Sequence, residues 1–294
     1  MADGSGGVAD PLLRLREWYA ATARDLPWRR PETTPWGVLV SEVMLQQTPV
    51  SRVLPAYAEW MERWPTPAAL AASPSGEAVR QWGRLGYPRR GLRLWQAADA
   101  CVRFHGGEVP SDPQQLRGLP GVGSYTAAAV AAFAYATRIP VIDTNVRRVV
   151  VRWSLGLPSS LTIPEGNVEA LLPAEPADAV VTSIALMELG ALVCVSRNPR
   201  CSVCPIAADC RWQLDGAPSA ESLGIRTRTS QGYEGTDRQA RGRLLALIRA
   251  SERPVTDDEL KLVWPGAVQR VRAFDSLLAD GLVAPAEGGW TLPG

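Results

Sequence analysis

The sequence predicts an all-α protein: a helical core in two parts, followed by a small C-terminal unit. Three observations carry that prediction. Apolar residues recur at helical spacing through most of residues 11–212. Alternating, strand-like segments are scarce over the same stretch. Pro27, Pro35, Pro65, Pro110, Pro120 and Pro158 fall between the periodic stretches, where a missing N–H does least harm. The chain has 294 residues, 46% hydrophobic and 21% charged, which suits a globular protein of about two domains. A chain of this length buries roughly 75% of its unfolded surface and needs no disulfides to fold. It contains no apolar run of eighteen residues, so no membrane span is expected. The start, MADGSGGVAD, lacks the basic stretch and apolar run of a signal peptide, so a cytoplasmic, nucleoid-associated protein is expected.

Taken in order, the periodic stretches predict helices over 11–23, 36–47, 50–62, 91–104, 124–135, 144–155 and 177–192. A helix-like piece, 112–117, precedes GLPGVGSYTA at 118–127. Gly121 and Gly123 flank Val122 and permit a tight turn with close backbone approach. The helix that starts at Ser124 then offers unpaired N–H groups to a backbone phosphate, although a plain helical hairpin would look the same. Asp143 follows an apolar, strand-like run and precedes the next helix. It suits an N-cap, and the helix start would also hold its carboxylate rigid and ionised.

Cys194, Cys201, Cys204 and Cys210 follow the spacing C-x6-C-x2-C-x5-C. Four thiolates this close can wrap one metal centre, either a [4Fe–4S] cluster or a zinc ion, and spacing does not choose between them. Disulfides do not fit a chain without a secretory signal. Arg197 and Arg200 in the same loop are candidate phosphate contacts. Cys101 lies on an apolar stretch and reads as a small buried hydrophobe. Residues 213–236 are polar, Gly/Ser-rich and aperiodic, and read as a linker between a core at 1–212 and a C-terminal unit at 237–294. That unit has helical patterns at 238–250, 256–262 and 266–280, then LVAP and WTLP around Glu287–Gly289. Three helices and a β-hairpin make it winged-helix-like.

The formal net charge is +1, which by itself decides nothing about nucleic acid. Its distribution says more. Residues 80–103 hold Arg80, Arg84, Arg89, Arg90, Arg93 and Arg103 against Asp99. Residues 138–152 hold Arg138, Arg147, Arg148 and Arg152 against Asp143. Such segments suit a polyanion-facing surface or solvated helix faces. Lys261 is the sole lysine.

LPWRR, SEVMLQQT, LGY, LPGVGSYTA, IDTNVRRV, MELGALVC and the cysteine loop occur in that order across residues 26–210. In these motifs the chain resembles the endonuclease III superfamily, and within it the MutY-type adenine-specific mismatch glycosylases. The resemblance covers about two-thirds of the chain. It implies a two-domain helix-hairpin-helix DNA glycosylase with a six-helix barrel and a cluster domain, and it prefers [4Fe–4S] over zinc. The implied partner is double-stranded DNA whose adenine, mispaired with guanine or 8-oxoguanine, is flipped out of the stack for base excision. A monomer is expected.

The resemblance also assigns residues. Glu42, in the apolar setting of Val38–Leu45, matches a general acid, a role that burial favours by raising a carboxyl pKa. Asp143 matches the charge stabiliser, and Asn145 its polar neighbour. Tyr125 stands where relatives that also cut the strand carry a lysine, so base excision without efficient lyase activity is expected. Trp28, Arg29 and Glu188 match the lining of the adenine pocket. Gln46 and Gln47 match residues that fill the gap left by the flipped base and contact its partner, Tyr87 matches an intercalating aromatic near the opposing base, and Thr48 and Leu85 match other DNA-binding residues. Two features depart from the pattern. Residues 237–294 are too short and helical for the Nudix-like domain that reads 8-oxoguanine in typical members, and Pro88 replaces a second tyrosine after LGY. A pyrimidine-excising relative of the endonuclease III type and a non-catalytic iron–sulfur DNA-binding regulator are the rival readings.

Overall fold

The structure, a computed structural model, describes residues 10–158, 163–219, 221–224 and 232–294. Parts of the expected linker, Ala220 and residues 225–231, lie outside the described residues. The rest is built almost wholly from helices, as the periodicity predicts.

The helix boundaries follow their caps. Helix α1 (Pro11–Thr22) starts where Asp10 accepts from the Leu12 N–H at 3.0 Å, with proline in the first turn. Helix α2 (Pro35–Leu45) starts in the same way, with Thr34 accepting from the Gly37 N–H. It ends two residues short of the predicted 47, because the backbone leaves the helical region at Gln46, ψ 111°. Helix α3 (Val50–Arg63) follows. Helices α4 (Pro67–Ala71) and α5 (Ser75–Trp82) have one or two turns, too short for periodicity to announce. Helices α6 (Arg89–Phe104), α7 (Pro113–Gly118), α8 (Ser124–Tyr135) and α9 (Thr144–Leu155) lie where their patterns place them. The apolar run before Asp143 forms no strand. Then come the short α10 (Glu165–Glu169), the long α11 (Pro176–Leu192) and the single-turn α12 (Arg211–Leu214). The C-terminal residues form α13 (Asp237–Ala250), α14 (Asp257–Val263), α15 (Ala267–Ala279) and a hairpin of β1 (Ala284–Ala286) and β2 (Gly289–Thr291), paired antiparallel with Pro285 opposite Trp290.

The chain forms two compact units, each assembled from two stretches of sequence. One takes residues 30–126 and 230–294. In it the buried Trp60 meets Trp64 and Trp82 edge-on, with ring centroids 4.7 and 5.8 Å away. The C-terminal elements pack onto this unit: Leu244, Leu245, Ile248 and Leu277 share a core with Val79 of α5 and Leu92 of α6. Gly76 makes that seam possible. Its N–H donates to the Pro293 carbonyl at 2.8 Å, and a Cβ there would lie 2.3 Å from the same oxygen.

The other unit takes residues 1–29 and 127–229. Helix α11 packs against α1 and α9, and α12 against α9. Leu15, Val146, Val150, Leu186, Leu189 and Ile206 fill its core. Among the described residues, no helix is long and apolar enough to cross a membrane.

Candidate functional site

Two carboxylates from the sequence reading lie on different units. Glu42 sits near the end of α2, a helix buried almost all round, and is 5% exposed. A glutamate this deep among Val38, Leu39, Val43 and Met44 is unusual, since carboxylates are seldom buried without a task or a partner. Tyr125 belongs to the same unit and is half-buried in the first turn of α8. The turn before it is built as its glycines suggest. Gly121 has φ 83°, and a Cβ there would lie 2.7 Å from the Arg93 Cβ. Val122 is buried beneath the turn, while Gly123 and Ser124 are exposed at the start of α8.

Asp143 caps α9. Its Oδ1 accepts from the Val146 N–H at 2.6 Å and its Oδ2 from the Asn145 amide at 2.7 Å. The Asn145 Oδ1 in turn accepts from Arg148 at 2.7 Å, which fixes the amide with its NH2 toward the carboxylate. Burial pushes the Asp143 carboxyl above its ordinary value. The Val146 and Asn145 donors and the Arg148 charge oppose that shift without cancelling it. The helix start therefore holds the carboxylate rigid, as expected, but desolvation works against its ionisation.

Glu188, fully buried on α11, is held by two arginines. Arg24 grips it bidentately, Nε to Oε1 at 2.6 Å and Nη2 to Oε2 at 2.8 Å, and Arg29 Nη1 reaches Oε2 at 2.9 Å. Burial alone would raise this carboxyl. The Arg24 hydrogen bonds and the Arg29 charge outweigh it and hold Glu188 below the usual carboxylate range. Glu188 is thus an anion, unsuited to donating a proton. Arg24 escaped the sequence reading because its partner lies 164 residues away. Trp28 is buried next to Arg29 in the chain.

The four cysteines line one cavity together with Arg152, Trp212 and Gln213. Arg152 Nη1 lies 3.4 Å from the Cys194 sulfur, and the Gln213 amide 3.1 Å from that of Cys201. Arg152 also donates to the carbonyls of Val195 and Ser196 and stacks on Trp212, while Arg148 Nε donates to the Cys194 carbonyl at 2.6 Å. Among the described residues, no three Cys, His, Asp or Glu side chains gather closely enough to hold a single metal ion. A tetrahedral zinc would draw its thiolates to about 4 Å from one another. Four thiols lining one shared cavity, two of them facing N–H donors, have the donor chemistry to hold a metal centre. In the loop, Arg197 is exposed and Arg200 donates to the Leu192 carbonyl.

The residues expected at the DNA divide. Tyr87 is 51% exposed and Gln47 is exposed. Gln46 is half-buried and donates to Thr126 Oγ1 at 3.3 Å. Thr48 and Leu85 are buried and joined to each other, Thr48 Oγ1 donating to the Leu85 carbonyl at 3.2 Å.

Residues 40–163 match the HhH-GPD superfamily of base excision DNA repair proteins. An adenine DNA glycosylase of Mycobacterium tuberculosis is 50% identical over 287 residues, covering 95% of this chain and 92% of that protein. A human adenine DNA glycosylase is 42% identical over 72% of this chain and 43% of its own length. Among solved structures, a thermostable thymine-DNA glycosylase superposes with a TM-score of 0.62 at 25% identity, covering 69% of this chain and 95% of that one.

Proposed function

The chain belongs to the adenine DNA glycosylases of the HhH-GPD superfamily, and on that premise we propose that it excises adenine mispaired with guanine or 8-oxoguanine in double-stranded DNA, acting as a monomer. The observation that carries this reading is a 50% identity running through 95% of the chain. The mycobacterial relative is matched over almost its whole length, so its similarity extends into the short C-terminal unit. Opposite-base reading is assigned to the catalytic core, aided by the C-terminal unit.

Cleaving an N-glycosidic bond at neutral pH poses two problems. Adenine leaves poorly unless a ring nitrogen is protonated, and the sugar left behind develops oxocarbenium character. Glu42, buried among aliphatic side chains, is the proposed proton donor. Asp143, held by Val146 and Asn145, is the proposed balancing anion. Arg29 and Trp28 are proposed to frame the base, with Glu188 fixing Arg29. Tyr125 offers no amine for a Schiff base, and Lys261 is engaged with Asp258 on α14, so no efficient strand cleavage follows excision. Cys194, Cys201, Cys204 and Cys210 would hold a [4Fe–4S] cluster whose part is to pin the loop that carries Arg197 and Arg200. Gly121, Val122, Gly123 and Ser124 shape the turn proposed to receive a DNA phosphate.

The test is a duplex with adenine opposite guanine or 8-oxoguanine, treated with alkali after incubation. Breaks at the adenine that need alkali are expected. Breaks without alkali would point to a lyase, and breaks at a pyrimidine to the rival substrate. No breaks under either treatment would overturn the reading.

A further inference from the structure

Arg90, at the start of α6, is half-buried, with its guanidinium turned toward backbone carbonyls. Nη1 donates to the carbonyls of Val43 at 3.0 Å and Met44 at 3.3 Å, the last turn of the helix that carries Glu42, and also to that of Gln46. Nη2 donates to Thr48 Oγ1 and to the Gly86 carbonyl, each at 3.1 Å. The guanidinium carbon lies over the rings of Tyr87 and Trp82, 5.2 and 5.4 Å from their centroids.

Two of these acceptors have a particular consequence. The carbonyl of Gln46 belongs to the peptide that enters Gln47, and the carbonyl of Gly86 to the peptide that enters Tyr87. Gln47 and Tyr87 both take left-handed backbone conformations, φ 54° and 48°. An L-residue resists that region, and such conformations persist only where the surroundings enforce them. One guanidinium thus grips the peptide plane ahead of each of two strained, exposed residues and stacks on the ring of one of them. A generic helix C-cap would need only the α2 carbonyls.

We propose that Arg90 is a positioning residue for opposite-base recognition: it presets Gln47 and Tyr87 to meet the base left behind when adenine is flipped out, without itself touching the DNA. This rests on the glycosylase reading above. The planar fork is what the task requires. A lysine supplies charge and a stem but no rigid pair of donors to span two peptides.

The experiment measures wild type, Arg90→Met and Arg90→Lys on duplexes with a non-cleavable 2′-fluoro-adenosine opposite guanine or opposite thymine. The affinity ratio of the two duplexes reports recognition of the opposing base, and active-site titration reports the properly folded fraction. Both variants are expected to lose about tenfold in that ratio, the scale of one or two charge-assisted hydrogen bonds. Single-turnover excision at saturating mispaired duplex should fall much less. An unchanged ratio per active site, with only the active fraction reduced, would overturn the proposal by making Arg90 structural alone. Full recovery by Arg90→Lys would overturn it by removing the need for the fork. Wild-type excision of adenine, measured alongside, tests the underlying reading separately.

Discussion

Asp143 meets two opposing demands. Val146 and Asn145 fix its oxygens, yet burial makes its charge expensive and raises its pKa. A carboxyl whose pKa is raised by folding adds stability when protonated, and that contribution is lost as pH rises through the folded value. At neutral pH wild type therefore bears the cost of a buried charge. Asp143→Asn removes the charge and keeps a good N-cap, but sets its NH2 near that of Asn145, whose amide Arg148 orients. These effects oppose each other, so stability at pH 7 should stay within about 1 kcal/mol of wild type while excision is lost. The sign of the pH trend is sharper. Between pH 7 and 4 the difference in Tm, wild type minus variant, should grow as pH falls. Calorimetry across that range checks it, and a difference that shrinks on acidification would contradict the buried-charge account.

At the scale of elements, α9 was legible to the residue because its apolar period and its capping residue, Asp143, agreed. Helices α4, α5, α10 and α12 were not, since one or two turns leave no periodicity to count. Glu42, Asp143 and the cysteines could be proposed from the sequence because their motifs are local. Arg24 and Arg90 could not, because their roles lie in carboxylate and carbonyl partners set only by the fold. The cysteine loop is an element in its own right. It is tied to the helices around it by Arg148, by Arg152 and by Arg14, which donates to the Pro205 carbonyl. Protein purified without oxygen should therefore carry iron and inorganic sulfide in about equal amounts and be brown. Stripping the iron should weaken duplex binding, through Arg197 and Arg200, while leaving most helicity in far-ultraviolet circular dichroism. Stoichiometric zinc, or collapse of the helical signal, would contradict this assignment.

For the molecule as a whole, near-neutral charge hides a partition: arginine-rich stretches at 80–103 and 138–152, and a single lysine far along the chain from the hairpin. Arginines can bind phosphates but offer no nucleophilic amine at neutral pH, so the composition suits a glycosylase that excises the base and leaves the strand whole. Glu42 lies in the unit of residues 30–126 and 230–294, and Asp143 in the unit of residues 1–29 and 127–229. The proton that Glu42 is proposed to donate is the step on which the proposed chemistry turns. The most direct measurement is single-turnover release of free adenine from a mispaired duplex by wild type and by Glu42→Gln, which keeps the shape and removes the acid. Release should slow by at least about a hundredfold, the lower end of general-acid contributions, with duplex affinity nearly unchanged. Adenine released by Glu42→Gln at the wild-type rate would mean that the proton comes from elsewhere.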